Sequence, residues 1–360
     1  MQRSLPQPEK RGFLQINFVG LMIWLLRIVT VVIVVWGAYN SISAGTYSLS
    51  QWKDLVIFGL AQGGMYGLIA LGYTLIYGIL GFINFAHGDI FMSGMMVGYF
   101  VADDLNTLGF WNAHPVISLL IILAVSMTTS SVVAILIERI AYKPLRNAPR
   151  LIPLITSIGA SFSLEYLFKG LFGAAAKSYP DMTAIDGFLD IGGFRILKTQ
   201  VLVLGGVIVM MVFLYWFVEH TRAGKSIRSV AEDKEIAALM GVNVERTILI
   251  TFALGGALAG AAGLFYALVF NQVYFLAGFV PGIKAFTAAV LGGIGNIPGA
   301  MVGGVTLGLL ESLGPVLILA GLGIPAPHQL NDVVAFTVLT LVLIFRPTGL
   351  LGERLSREKA

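Results

Sequence analysis

Apolar blocks of about 20 residues, the length that spans a bilayer core, recur along this chain between short polar or basic stretches. They fall at Val19–Tyr39, Leu55–Leu80, Val116–Ile137, Ile152–Phe172, Val201–Val218, Thr247–Phe270, Ala300–Ala320 and Val333–Phe345. The blocks are continuous rather than alternating, so they predict spanning helices and not the strands of a membrane barrel. Two regions break the pattern. Gly81–Asp89, GFINFAHGD, interrupts an apolar run that resumes at Ile90–Ala102. Lys284–Gly299, KAFTAAVLGGIGNIPG, is too short and too glycine-rich for an ordinary span. Each predicts a discontinuous or paired helix whose irregular backbone must face protein or a water-filled path. The expectation is an all-α integral membrane protein of about nine or ten transmembrane helices or half-helices with broken, glycine-rich segments.

Basic residues set the orientation. Arg139, Lys143, Arg146 and Arg150 follow one span, Arg222, Lys225, Arg228, Lys234 and Arg246 surround another loop, and Arg354, Arg357 and Lys359 lie in the tail. Positive loops stay cytoplasmic, which predicts both termini inside. Asp103–His114, Gly173–Gln200 and Asn271–Ile283 are then external, and the second of these is long enough to fold over the outer mouth. Val19–Tyr39 reads as an uncleaved span rather than a signal peptide cut near Ser41–Ser43, because its apolar region exceeds the ~7–15 residues such a signal uses. Its Arg27 is expected to snorkel to the interface. Glycines four apart at Gly59, Gly63 and Gly67, and at Gly304 and Gly308, predict close helix contacts. Glu165 and Lys169, at i and i+4, are placed to pair.

Composition narrows the class further. Hydrophobic residues make up 57% and charged residues 12% of the 360, with 43 glycines. A net charge of +4 could suggest nucleic acid, but the basic residues sit in loops between spans, so no nucleic-acid partner is expected. There is no cysteine, hence no disulfide framework and no thiolate metal site, and the four histidines are scattered.

The longest charged run is Thr221–Val244, TRAGKSIRSVAEDKEIAALMGVNV. Asp233 can cap a short helix and Gly241 can end it, with Ile236, Leu239 and Met240 on one apolar face. Such a helix between two spans is either a docking knob for a soluble partner or a solvated loop whose charges only fix orientation. Ala223-Gly224-Lys225-Ser226 looks like the end of a phosphate-binding loop, but the required first glycine is Glu219 and no strand precedes it. This chain is therefore not expected to bind ATP. No zinc-protease helix and no G-x-S-x-G elbow occurs, which argues against an enzyme. His87 with Asp89 is the nearest candidate for intramembrane catalysis. Asn84, His87 and Asp89 could line a translocation path at a broken helix, or could cap a helix start. Gly292, Gly293 and Asn296 could line the same path or pack a tight turn. Glu311, an isolated charge within a span, should face a cavity or find a partner such as Lys284. Leu80-Gly81-Phe82-Ile83-Asn84 echoes Leu291-Gly292-Gly293-Ile294-Gly295-Asn296, and paired interrupted segments point to a transporter site.

Glu235, Ala237, Ala238 and Gly241 resemble the E-A-A-x-x-x-G signature of ABC importer permeases, with Ile236 where the first alanine is usual. TRAGKSIRSVAEDKEIAALMGVN, KAFTAAVLGGIGNIPGAMVGG and YTLIYGILGFINFAHGD are similar to branched-chain amino acid permeases of the LivH type, from about Leu55 to Gly352. The resemblance implies a bacterial inner-membrane permease subunit for branched-chain or other neutral amino acids. It implies two ABC ATPase subunits, a second homologous permease, an external solute-binding protein and surrounding lipid. ATP would be used by the partners, with no cofactor or metal in this chain. ATPase coupling is implied for Ser229, Glu232, Asp233, Glu235, Ile236, Ala237, Ala238, Leu239, Met240 and Gly241. Residues 1–50 then form an extension with one extra span, 51–352 the permease domain and 353–360 a cytoplasmic tail. Urea or short-amide permeases share the INxAHG pattern and are the alternative; a sugar permease is more remote, and a passive channel would need no partner.

Overall fold

The computed structural model describes residues 18–146, 148–149, 151–191, 194–346 and 348–352. The expected cytoplasmic tail and N-terminal polar stretch, and Arg150, lie outside the described residues. Thirteen helices and one hairpin are described: α1 Phe18–Ser43, α2 Leu49–Leu80, α3 His87–Thr107, α4 Phe110–Ala113, α5 Pro115–Ile137, α6 Leu151–Phe172, β1 Phe188–Ile191, β2 Phe194–Leu197, α7 Lys198–His220, α8 Arg222–Glu232, α9 Lys234–Leu239, α10 Val244–Phe270, α11 Phe279–Gly292, α12 Ile297–Gly314 and α13 Asn331–Phe345. Eight helical segments are long and apolar enough to cross a membrane, and α11 is a shorter apolar helix. With α3, these make an all-α integral membrane protein.

The glycine pattern explains which helices form the centre. A Cβ on Gly63 would fall 2.7 Å from the Gly304 carbonyl oxygen and 2.9 Å from Val305 Cα, so α2 and α12 meet backbone to backbone. Gly59 meets Ser312 and Gly67 meets Gly304, so the two helices run antiparallel. Small residues permit this approach, which supplies the dispersion contact that lipid cannot. α10 packs the same way against α5, with Gly256 on Ser131 and Gly260 on Met127. Of the α2 and α10 spans 72% is buried, against 6% of α1. α1 presents Trp24, Val31, Val35 and Trp36 outward, a surface suited to lipid.

α1 still touches the bundle. Ser41 Oγ donates to the Val316 carbonyl at 2.8 Å, and Asn40 Nδ2 to that of Gly321 at 3.3 Å. α2 begins at Leu49, capped by Ser48, just before the expected division at residue 50. Arg27 lies 4.9 Å over the Phe345 ring at the end of α13, so it stacks on protein rather than simply reaching into an interface. Glu165 and Lys169 do not pair. Glu165 is buried, while Lys169 sits 5.5 Å and 5.2 Å over the Tyr166 and Phe275 rings.

The loops gather on two opposite faces. On one, Tyr142 donates to Asn84 at 2.5 Å, Lys143 pairs with Glu245 at 2.9 Å, and the Leu351 amide bonds the Gly292 carbonyl at 3.0 Å. On the other, Lys177 and Val273 form an antiparallel bridge at 2.8 Å, and the Thr183 amide donates to Asn112 Oδ1 at 3.0 Å. The segment from Gly173 folds inward there, burying Tyr179, whose hydroxyl donates to the Met95 carbonyl at 3.2 Å. The stretch expected as an external loop from Asn271 is shorter than Asn271–Ile283, because α11 begins at Phe279.

Candidate functional site

The charged run folds into two short helices. Thr221 caps α8 by accepting from the Gly224 amide at 3.0 Å, and α8 buries Ile227 and Val230. Ala223-Gly224-Lys225-Ser226 thus lies inside a helix, with Gly224 packed on α7. Asp233 Oδ1 then accepts from the Glu235 and Ile236 amides at 2.8 Å and 2.9 Å, which starts α9. Gly241, at φ 84°, ends it. The Gly241 amide bonds the Ala238 carbonyl and the Val242 amide bonds the Ala237 carbonyl, both at 3.0 Å, which is a Schellman closure. Asn243 starts α10 directly afterwards by accepting from the Arg246 amide at 2.9 Å. Three caps in a row hold α9 rigid. Ala237 faces inward, whereas Ile236, Leu239 and Met240 are 60%, 86% and 80% exposed. Three large apolar side chains on a capped helix at a polar face form a ready contact surface. Ser229, Glu232, Glu235 and Ala238 lie on the same two helices around it.

The first broken segment places α3 at depth. His87, the first residue of α3, packs against Gly72, eight residues before α2 ends at Leu80. That is about 12 Å along the helix axis from the end of α2, in the fully buried interior of the bundle. Asn84 precedes the helix and is committed three ways: Oδ1 accepts from the Ala86 amide at 3.1 Å and from Tyr142, and its carbonyl takes the His87 amide. Asp89 Oδ2 accepts from Ser161 on α6 at 2.5 Å, while Oδ1 is buried without a hydrogen-bond partner. Both ring nitrogens of His87 are likewise buried without a hydrogen bond, and the ring stands edge-on to Tyr73 at 4.7 Å. The start of α11 meets the same place, with Gly282 against Gly88 and Phe286 6.1 Å from Tyr73. Two helix N-termini therefore converge in the interior.

The second broken segment does other work. Asn296 Oδ1 caps α12 by accepting from the Gly299 amide at 2.9 Å, and its Nδ2 donates to the Leu351 carbonyl at 2.8 Å. Gly292 and Gly293 receive the returning chain, with Gly293 against Gly352 and the Leu350 amide bonding the Leu291 carbonyl at 2.8 Å. Glu311 stands apart from both groups. Its Oε1 lies 2.6 Å from Lys284 Nζ and accepts from Gln62 Nε2 at 3.0 Å, and Lys284 also meets Asp332 at 2.6 Å. The partner expected for Glu311 is the one it has.

Sequence reasoning missed Tyr142, Ser161, Gln62, Asp332 and Tyr66, whose hydroxyl accepts from Gln62 Nε2 at 2.8 Å. Gln62 and Tyr66 carried a signal, since polar groups at i and i+4 inside an apolar span need a shared partner. Tyr142 and Ser161 carried none, because only folding brings them to Asn84 and Asp89.

Residues 55–343 match the family described as branched-chain amino acid transport system / permease component. The chain is 39% identical over 306 residues to the high-affinity branched-chain amino acid transport system permease protein BraD of Pseudomonas aeruginosa, covering 84% of this chain and 96% of that protein. It is 37% identical over 300 residues to the corresponding LivH of Escherichia coli, covering 82% and 94%. A probable branched-chain amino acid transport permease protein LivH of Methanocaldococcus jannaschii is 30% identical, covering 79% and 88%. The chain belongs to this permease family.

Proposed function

We propose that this family member is the permease subunit of an ATP-driven importer for branched-chain or other neutral amino acids, in a bacterial inner membrane with both termini cytoplasmic. It works with two ABC ATPases, a second homologous permease and an external solute-binding protein. ATP belongs to the partners, and the chain itself is not an enzyme. The observation that carries the reading is the α9 knob. Its exposed Ile236, Leu239 and Met240 have no role inside the chain, and its two caps, Asp233 and Gly241, let it transmit a push to α8 and α10 rather than yield.

Closure of the ATPases on bound ATP moves Ser229–Val244, and the attached α7 and α10 rock the bundle between outward and inward access. ATP supplies the differential contacts between the two states. We assign the path to the level of His87 and Asp89, where buried polar atoms lack partners and two helix N-termini meet. Asn84, Gly292, Gly293, Asn296 and Glu311 support that path by capping and bracing its walls. An apolar amino acid needs few polar contacts in transit, so selection rests mainly with the binding protein.

The test is uptake in proteoliposomes containing this chain with its ATPases and second permease, with the binding protein outside. Labelled leucine, alanine and urea are compared with and without ATP. ATP-dependent leucine or alanine uptake is expected. Urea uptake alone moves the substrate to short amides, and equal flux without ATP or ATPases makes the chain a channel.

A further inference from the structure

The end of α5 carries a charged pocket that lies outside the proposed path. Glu138–Tyr142 forms a π-turn, a distortion that widens the helix and recurs at functional sites. Beside it lies a pocket of about 380 Å³ lined by Glu138, Arg139, Lys143, Arg146, Glu245 and Leu249. Its charges do not balance internally. Arg146 is bonded to Glu138, and Glu245 is shared by Lys143 at 2.9 Å and Arg146 at 3.6 Å. Arg139 makes no salt bridge among the described residues, which leaves three cations to two carboxylates. Arg146 Nε–H is buried without an acceptor, and Glu138 Oε2 is buried without a donor. Outside the pocket, partial burial and then the nearby Arg146 hold the Lys234 ammonium on α9 below its ordinary value.

The pocket opens beside lipid-facing helix surface. One residue on from Arg139, Ile140 joins Leu136 in the apolar groove between α5 and α6, and Val132 and Leu136 lie on the last regular turns of α5. They are 50% and 48% exposed, and neighbouring Ile140 is 73% exposed. A ligand here meets cations at the membrane boundary and an apolar wall running into the core. We propose that this pocket binds the phosphate headgroup of an anionic phospholipid, held by Arg139, Lys143 and Arg146, with an acyl chain along Val132 and Leu136. Basic pockets between spans bind such headgroups for this reason. The proposal takes from the proposed function only its choice of the cytoplasmic leaflet.

Native mass spectrometry of the purified chain, offered phosphatidylglycerol and phosphatidylcholine together, tests it without ATP or solute. The outcome is therefore independent of the uptake experiment. Wild type is expected to retain phosphatidylglycerol by about tenfold over phosphatidylcholine, and R139Q/K143Q to lose that preference. R195Q, in the β1–β2 hairpin on the opposite face, keeps it. Both replaced side chains are solvent-accessible, so the thermal midpoint should hold; R139Q alone, which breaks no salt bridge, gives the same direction of change. No preference in wild type, or an undiminished one in the double variant, overturns the site. Glycerol 3-phosphate displacing the lipid at equal concentration makes it a soluble-anion site and overturns the lipid.

Discussion

Lys284 Nζ on α11 lies 2.6 Å from Glu311 Oε1 on α12, with both side chains almost fully buried. Asp332 on α13 completes the arrangement at 2.6 Å and is more than half exposed. One lysine thus ties three helices, and its two carboxylates differ in what they lose without it. Removing Lys284 strands a buried carboxylate, whereas removing the Glu311 charge leaves Lys284 with Asp332. Lys284→Met should destabilise by about 3–5 kcal/mol, and Glu311→Gln by clearly less. Thermal unfolding in detergent ranks the two. A reversed order means Asp332 does not hold Lys284.

Leu239→Asp places a charge where an apolar knob is exposed. Exposed positions without structural duties usually shift stability by no more than about 0.5 kcal/mol, so the protein should fold normally. ATP-dependent uptake and co-purification of the ATPases should both collapse. Normal uptake by a folded L239D protein would remove α9 from the coupling mechanism.

Gly241 sits at φ 84°, where a side chain is strained by about 1–2 kcal/mol. Gly241→Val, with Glu235→Ala, should open the Schellman closure and uncouple ATP hydrolysis from uptake. Global stability should fall by no more than that backbone strain, because no atom lies within 4 Å of a Cβ at Gly241 to add a clash. The ratio of ATP hydrolysed to solute imported is the readout, and it should rise.

Gly63 and Gly304 touch through backbone atoms, leaving no room for a branched side chain. Gly63→Val should force α2 from α12 and cost about 1–3 kcal/mol, the usual penalty of overpacking. Yield and thermal midpoint should fall together. An unchanged midpoint would mean that the two helices part easily.

Asp89→Asn keeps shape and the bond to Ser161 while removing charge at the convergence of α3 and α11. If these residues line the path, the maximal uptake rate should drop with the thermal midpoint nearly unchanged. Ser161→Ala, which strips the brace, should lower both. A lowered midpoint and intact uptake for D89N would assign Asp89 to capping alone.

Much of the fold was legible in the sequence. Spans declare themselves by composition, because about 20 apolar residues have no soluble use on this scale. The glycine spacing announced close helix contact, and Asp233 and Gly241 announced the bounds of α9, because caps act on neighbours in sequence. Glu311 announced a partner, because a lone buried charge must have one. The Glu165–Lys169 pairing failed because i,i+4 proximity competes with tertiary offers. Aromatic rings from Tyr166 and Phe275 took Lys169, and burial took Glu165.

Local rules, then, determined from sequence alone that this is a helical membrane protein, where its helices break, and which short helix carries an exposed apolar face. Only the tertiary structure decided that α3 begins deep in the bundle against Gly72 and that α11 begins against Gly88. It also decided that Asn296 holds the returning chain at Leu351, and that Arg139, Lys143 and Arg146 enclose a pocket. The reason is physical range. Caps, spans and faces act over a few neighbouring residues, whereas these contacts join residues that lie far apart along the chain, and packing alone chooses which of them meet.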